Sequence, residues 1–333
     1  MNHFKSKNDV YIIAEIGGNH EGDFEYAKKL TNLAIESGVD AIKYQIYTGD
    51  SLVNSKYDPD RNKHFKKFEL TKEQYLYLAK MCKEANVTFM ASVWDVEAFD
   101  WIDKYMPIYK VGSGDMTAYN LIKKMVLTGK PIILSTGLAT LDEVKDVVKF
   151  VESIDKSYIS EKKLALLQCT SMYPIPDEDA NLNVILTYKK EFNLTIGYSD
   201  HTIGMEAVEI AVAMGAEIIE VHFTDSRENK TFRDHKVSAT KDEIQALIKK
   251  IKKIKTLQGS FDKKPTKSEI ESGHVKSFRR GIYAKHDIKK AKIINEEDLI
   301  TLRPLVGIGA EEFYNIIETK AKKDFEKLES LEK

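Results

Sequence analysis

Residues 11–45 read YIIAEIGGNHEGDFEYAKKLTNLAIESGVDAIKYQ, with a β-rich apolar run at each end and an amphipathic stretch between. In FEYAKKLTNLAIESG, Ala27, Leu30, Leu33 and Ala34 recur on one helical face, and Ser37-Gly38 supplies a stop. Two such strands joined through a helix form a crossover unit, because parallel strands need a long connection where antiparallel ones need only a turn. The same alternation continues outward, with candidate strands at 11–16, 41–45, 88–91, 108–111, 131–135, 164–169, 195–198 and 218–222. Between the fifth and sixth, LDEVKDVVKFVES places Leu141, Val144, Val147, Val148 and Val151 on one helical face. Eight strand-then-helix units over about 250 residues predict an α/β fold, a closed parallel TIM (β/α)8 barrel. A doubly wound open sheet is the alternative.

Two stretches interrupt the alternation. Residues 46–70, IYTGDSLVNSKYDPDRNKHFKKFEL, exceed a plain loop and follow a strand end, so they are expected to form a lid or substrate loop, or else a disordered insertion. Residues 256–273, TLQGSFDKKPTKSEIESG, break the periodicity with Gly, Pro and Lys and read as a linker. The expected organisation is a barrel over 1–255, a linker over 256–275 and a small unit over 276–333. A unit of about 55 residues is marginal alone and is expected to lean on another surface.

The 333 residues carry 51 Lys+Arg against 52 Asp+Glu, a balance that gives no electrostatic case for a nucleic-acid or membrane-surface partner. The N-terminus has no apolar targeting segment, no apolar run reaches spanning length, and Cys82 and Cys169 form no disulfide framework. The chain is therefore expected to be soluble and cytoplasmic.

In a barrel the chemistry sits at the carboxyl ends of the strands. Those ends carry Glu15, Lys43 with Gln45, Ser92, Lys110 with Ser113, Ser135, Thr170 with Ser171, Ser199 with His201, and His222. Charges set directly on apolar runs, as in AIKYQIY, IYKVGSG and IIEVHFT, are expensive to bury unless paired or bound to something. A single Lys snorkels to the rim, but two Lys, five Ser and glycine turns converging on one rim amount to an anion cradle. His201 lies three residues past the seventh candidate strand and His222 ends the eighth. Neighbouring strands are about 4.8 Å apart, so both imidazoles can share one divalent ion, Mn²⁺, Mg²⁺ or Co²⁺, leaving positions open for water and a substrate oxygen. Two core histidines satisfied by carbonyls are the competing reading. Glu15 serves either as a base or as a counter-charge to the lysines.

The stretches IIAEIGGNHEGD, DAIKYQ, YKVGSGD, GKPIILSTGLAT, LLQCTSMYPIP, IGYSDHTIG, IIEVHFT and RDHKVS occur in this order, and over nearly its whole length the chain resembles the bacterial sialic acid synthase family, N-acetylneuraminate synthase and its nonulosonic-acid relatives. The tail SFRRGIYAKHDIKKAKIINEEDLITLRP is similar to that family's C-terminal SAF domain, which resembles type III antifreeze protein. The resemblance implies a domain-swapped homodimer that condenses phosphoenolpyruvate with an N-acyl amino aldose, such as N-acetylmannosamine, to a nine-carbon 2-keto acid plus phosphate by C–O cleavage. It further implies His201 and His222 as ligands of a divalent metal, with Mn²⁺ first. Lys43, Ser92, Lys110, Ser113, Ser135, Ser171 and Ser199 would seat phosphoenolpyruvate, and Gln45, Asp115, Tyr173 and Asp234 would contact the sugar. Glu15 matches the proposed catalytic carboxylate, and Arg303 matches an arginine that reaches the sugar from the partner subunit.

Some positions depart from the family pattern. Ser171 stands where some members have Asn, Ser92 where some have Thr, and Asp115 where some have Glu. Before Asp234 the chain reads TFRDHKVS in place of Gly-Pro, which puts Arg233 at a sugar-facing place where a guanidinium can accept a phosphate or carboxylate. LQCTSMYP and IGYSDHT also resemble the animal enzymes that use a 6-phosphorylated sugar, so the acceptor stays open. On the same barrel, Lys43 or Lys110 would instead form a Schiff base in an aldolase, against which the paired histidines weigh. A non-catalytic anion-binding protein is the third reading, disfavoured because binding alone needs neither Glu15 nor both histidines.

Overall fold

The computed structural model describes residues 3–332. Eight parallel strands, β1 (Tyr11–Glu15), β2 (Ala41–Ile46), β3 (Thr88–Val93), β4 (Tyr109–Val111), β5 (Ile132–Ser135), β6 (Leu164–Cys169), β7 (Thr195–Asp200) and β8 (Ile218–His222), close into a barrel in chain order. The open sheet is excluded by pairing of β8 onto β1, which runs from Tyr11↔Ile218 to Glu15↔His222. Helices follow the strands, and three of their starts are written in the sequence as Thr-x-x-Gln or Thr-x-x-Glu. Thr71 with Gln74, Thr140 with Glu143 and Thr240 with Glu243 each form a capping box that satisfies two backbone donors.

Alternation along the strands decides what faces where. One parity, Ile12, Ala14, Ile42, Tyr44, Leu134, Leu166, Ile219 and Val221, packs outward against the helices in the main core. The other parity points into the barrel and changes character along its length. Its lower layers are apolar, with Tyr11, Ile13, Ala41, Met90, Ile133, Ala165, Leu167 and Ile218 filling the interior and Phe4 joining from below. Near the carboxyl ends the same inward series becomes Glu15, Lys43, Ser92, Lys110, Ser135, Ser199, Glu220 and His222, all buried. The interior is tight enough that a Cβ on Gly197 would stand 2.3 Å from the Ile218 carbonyl oxygen.

Strand β7 runs on to Asp200, so His201 follows the strand directly instead of lying three residues beyond it. Asp200 continues the pairing opposite Val221 because its carboxylate is satisfied locally, by the Tyr198 hydroxyl at 2.9 Å and the Thr202 amide at 3.0 Å. Residues 46–70 are not a disordered insertion but carry two short helices, Gly49–Leu52 and Pro59–Lys66. Asn62 bolts them together, its amide donating to Gly49 O at 2.8 Å, Val53 O at 2.9 Å and Asp50 at 3.1 Å.

The chain divides into two compact units after Gly259. The last helix of the first unit extends to Gln258, so the stretch read as a linker starts inside a helix. The remainder of that stretch holds the short helix Lys267–Glu271, begun by a capping box of Thr266 and Glu269. In the second unit β9 (Gly281–Ala284) pairs antiparallel with β10 (Leu299–Leu302), and isolated bridges such as Ile288↔Phe325 tie in the rest. Ile282, Ile288, Ile294, Leu299, Phe325 and Leu331 form its own small core. Among the described residues, no helix of either unit is long and apolar enough to cross a membrane.

Candidate active site

The inward polar layer opens onto a cavity of about 1250 Å³ at the carboxyl ends of the strands. Register brings its charges together. Glu15 of β1 sits opposite Lys43 of β2, and the Lys43 ammonium is 2.8 Å from Glu15 Oε2. Gln45, two residues further along β2, donates to the other Glu15 oxygen at 2.9 Å. On β4, Lys110 donates to Ser135 Oγ at 2.8 Å.

Between the two lysines lies a carboxylate that the reading of strand ends passed over. Glu220 Oε1 is 3.5 Å from Lys110 Nζ and 4.0 Å from Lys43 Nζ, and it accepts from Ser199 Oγ at 3.1 Å. The signal was present, since Glu220 stands two residues before His222 and shares its inward parity in IIEVHFT. Burial pushes Glu220 up, but the Lys110 and Lys43 ammonium groups outweigh it and hold this carboxyl well below the ordinary range. Burial also pushes Glu15 up, and there it wins: Lys43 pulls the other way, while the Glu220 charge adds to the rise. Burial would strip Lys43 of its proton, yet Glu15 and Glu220 more than offset that and raise it. For Lys110 burial prevails over Glu220 and the value falls.

The serines complete the cradle. Ser92 lies 3.5 Å from Lys43 Nζ, and the Gly137 amide donates to Ser113 Oγ at 3.0 Å. A Cβ on Gly137 would stand 2.5 Å from Ser171 Oγ and 2.8 Å from Ser113 Oγ, so glycine keeps this corner open.

Across the cavity, the rings of His201 and His222 are 5.3 Å apart and inclined at 52°. His201 Nδ1 lies 2.8 Å from the Thr170 carbonyl, which only accepts, so the proton sits on Nδ1 and the lone pair on Nε2. His222 Nδ1 is buried without a hydrogen-bond partner. Burial, with His222 nearby, lowers His201 to about 3, and burial with Lys43 lowers His222 to about 3. Both imidazoles are thus neutral and able to ligate a cation. Among the described residues no group of three His, Cys, Asp or Glu forms a complete metal cage. The donor set therefore fits an ion whose remaining ligands are water and substrate oxygens, and does not fit a closed structural site.

Tyr173 roofs the histidines, 4.0 Å from the His201 ring and 5.7 Å from that of His222. Arg233 lies 4.7 Å over the Tyr173 ring and binds Asp234 at 3.1 Å. The turn that presents Asp234 is pinned by His235, which bridges Thr224 at 2.7 Å and Glu21 at 3.2 Å. On the opposite wall Trp94 Nε1 donates to Asp115. His64 and Phe68 of the 46–70 segment meet Phe232 at 6.2 and 4.8 Å, and with Arg61 and Lys67 they make this segment part of the cavity wall. All the site residues expected from the sequence line this one cavity, except Arg303. That residue belongs to the second unit, where its guanidinium lies 5.7 Å over Phe278.

Residues 30–263 match the model of the NeuB family. An uncharacterized protein of Methanocaldococcus jannaschii is 36% identical over 318 residues, covering 95% of this chain and 91% of that protein. The N,N'-diacetyllegionaminic acid synthase of Campylobacter jejuni is 35% identical over 331 residues, 95% of this chain and 97% of that enzyme. The crystal structure of N-acetylneuraminic acid (sialic acid) synthetase from Leptospira borgpetersenii, in complex with citrate, superposes with a TM-score of 0.72 at 31% identity, covering 80% of this chain and 90% of that one.

Proposed function

The chain belongs to the NeuB family, and from that premise we propose that it is a nonulosonic acid synthase, condensing phosphoenolpyruvate with an N-acyl amino aldose such as N-acetylmannosamine to a nine-carbon 2-keto sugar acid and phosphate. One observation carries the reading: two buried ammonium groups with serine hydroxyls face two neutral imidazoles across a single cavity. The first set suits a small polyanion, the second a polarised carbonyl.

In this reading Lys43 and Lys110 hold the phosphate and carboxylate of phosphoenolpyruvate, with Ser92, Ser113, Ser135, Ser171 and Ser199 donating hydrogen bonds. Gln45, Tyr173, Asp115 and Asp234 orient the open-chain aldose so that its aldehyde carbon lies against C3 of phosphoenolpyruvate. His201 and His222 hold a divalent ion, Mn²⁺ before Mg²⁺ or Co²⁺, which when bound supplies Lewis acidity toward the aldehyde oxygen. Attack by C3 makes the carbon–carbon bond, the aldehyde oxygen takes up a proton, and C2 is left cationic. Glu15, beside Lys43 and with its carboxyl raised by burial, takes a proton from the water that adds to C2. The resulting hemiketal phosphate collapses with cleavage of the C2–O bond, and the bridging oxygen leaves on phosphate. We assign the second unit as a SAF domain that, in a domain-swapped homodimer, carries Arg303 to the partner's acceptor.

The test is phosphate release and product mass from the full chain with phosphoenolpyruvate, Mn²⁺ and a panel of aldoses: N-acetylmannosamine, its 6-phosphate, and the 2,4-diacetamido-2,4,6-trideoxy forms of mannose and altrose. Stoichiometric phosphate and keto acid from one sugar is the expected result, and silence across the panel overturns the reading. In ¹⁸O-labelled water the phosphate stays unlabelled; label in phosphate overturns C–O cleavage.

A further inference from the structure

Asp234 stands in the short turn Arg233–Val237, and two hydrogen-bonded bolts run from that turn to residues 17–23, the loop that leaves β1. The first is buried. Asn19 Nδ2 donates to Ser238 Oγ at 2.8 Å and to the Phe223 carbonyl at 2.9 Å, and Ser238 Oγ donates to the Asp234 carbonyl at 2.7 Å. The second lies at the cavity edge. Burial lowers His235 against the pull of Glu21, so the ring is neutral. The Glu21 carboxylate only accepts, so the ring proton sits on Nε2, 3.2 Å from Glu21 Oε1, and the Thr224 hydroxyl donates to Nδ1 at 2.7 Å.

The backbone at Glu21 is strained. Its φ is +52°, in the left-handed region that glycine occupies freely and glutamate only at a cost, and Gly22 follows it at +79°. The turn therefore favours glycine at position 21. Packing does not explain the glutamate: its side chain is 37% exposed, and the bond with His235 is the one hydrogen bond its carboxylate makes among the described residues. Glu21 and Asp234 line the same cavity. A strained residue with a single polar bond points to a role for that bond.

We propose that Glu21 is a positioning residue for the acceptor: through His235 it fixes the turn that carries Asp234, so that the Asp234 carboxylate meets the aldose in one orientation. Glu21 itself touches neither substrate. The assignment rests on the synthase reading for the identity of the acceptor. It gives the stretch GGNHEG, at the other end of the chain from RDHKVS, a part in binding the aldose.

Two measurements test it on the full chain. Glu21→Gly separates binding from folding, because glycine relieves the backbone while the carboxylate is lost. With Mn²⁺, phosphoenolpyruvate and the aldose that the enzyme condenses, KM for the aldose rises about tenfold, while kcat and KM for phosphoenolpyruvate hold within about twofold. The melting temperature stays within about 2 °C of wild type or exceeds it. Glu21→Gln, whose amide oxygen still accepts from Nε2, keeps the wild-type KM. In an Asp234→Ala background Glu21→Gly adds nothing, since the group it positions is gone. An unchanged KM for the aldose, or a further loss in the Asp234→Ala background, overturns the proposal. So does a lowered melting temperature with equal rises in KM for both substrates.

The second measurement needs no turnover. Imidazole ¹⁵N spectra, with the His235 signals identified by their loss in His235→Asn, place the ring proton on Nε2 in wild type. A proton on Nδ1 overturns the bond to Glu21, and the proposal with it. A proton on Nε2 in a chain that condenses no aldose means that the synthase reading fails, and the acceptor role with it, while the bond stands.

Discussion

Glu220 Oε1 stands 3.5 Å from Lys110 Nζ inside the barrel, the one carboxylate in ion-pair reach of that ammonium among the described residues. Burial lowers Lys110 and Glu220 opposes the fall. In Glu220→Gln the opposing charge is gone, so Lys110 loses its proton at a lower pH. KM for phosphoenolpyruvate should rise about tenfold for each unit that the Lys110 value drops below the assay pH, and the rise should steepen toward alkaline pH. A KM profile parallel to wild type would contradict this.

Three buried histidines predict loss of stability in acid. Burial lowers His20 to about 4, and His201 and His222 each to about 3. Below the ordinary imidazole value of about 6.5 the unfolded chain binds protons that the folded chain refuses, so stability is full above it and declines as pH falls toward the folded values. Each histidine contributes up to about 1.4 kcal/mol per pH unit. Urea midpoints of the metal-free protein between pH 6.5 and 4.5 should fall accordingly, and His222→Asn should flatten the slope by one proton's worth.

Mn²⁺ should raise the melting temperature of wild type and leave His201→Asn and His222→Asn unmoved, with folds intact by circular dichroism. Because both imidazoles are already neutral, protons compete weakly for them. Mn²⁺ affinity should therefore change by less than about threefold between pH 7.5 and 5.5, where an ordinary pair would weaken steeply.

Gly137→Ala places a methyl 2.5 Å from Ser171 Oγ and 2.8 Å from Ser113 Oγ. The cradle must spread, so KM for phosphoenolpyruvate should rise by about tenfold or more while KM for the aldose holds. Equal increases for both substrates would point to general disruption.

Asn62→Leu removes the three hydrogen bonds that tie the two short helices of the 46–70 segment together, and the segment loosens. Trypsin should then cut at Lys63 or Lys66 far faster than in wild type, while the barrel melts unchanged.

The barrel and its inward row were legible because alternation leaves marks: a lysine inside AIKYQIY or IYKVGSG breaks an apolar run and must face something polar. Glu220 carries the same mark in IIEVHFT, but it lies two residues inside the end of β8, where strand ends alone do not reach. Apolar residues alone mark β7 only as far as Tyr198, whereas the strand runs on through Asp200, which Tyr198 and Thr202 satisfy in place. The bond from Trp94 to Asp115 and the meeting of His64, Phe68 and Phe232 were not legible. Each joins loops from different strands, and no local period encodes which loop leans on which. The helices of residues 46–70 were hidden for a related reason: a polar side chain, Asn62, holds them where a hydrophobic stripe would have been visible.

The seam where β8 closes onto β1 sets Glu15 beside His222 across about two hundred residues of chain. A ribosome delivers the first of these long before the second. Until the eighth strand emerges, β1 and β7 are open edges that invite pairing with other chains, and Lys110 lacks its counter-charge. Those edges stay unpaired until two thirds of the chain has been made. The barrel closes late, when one last strand removes both edges, gives Lys110 its counter-charge and supplies the second imidazole.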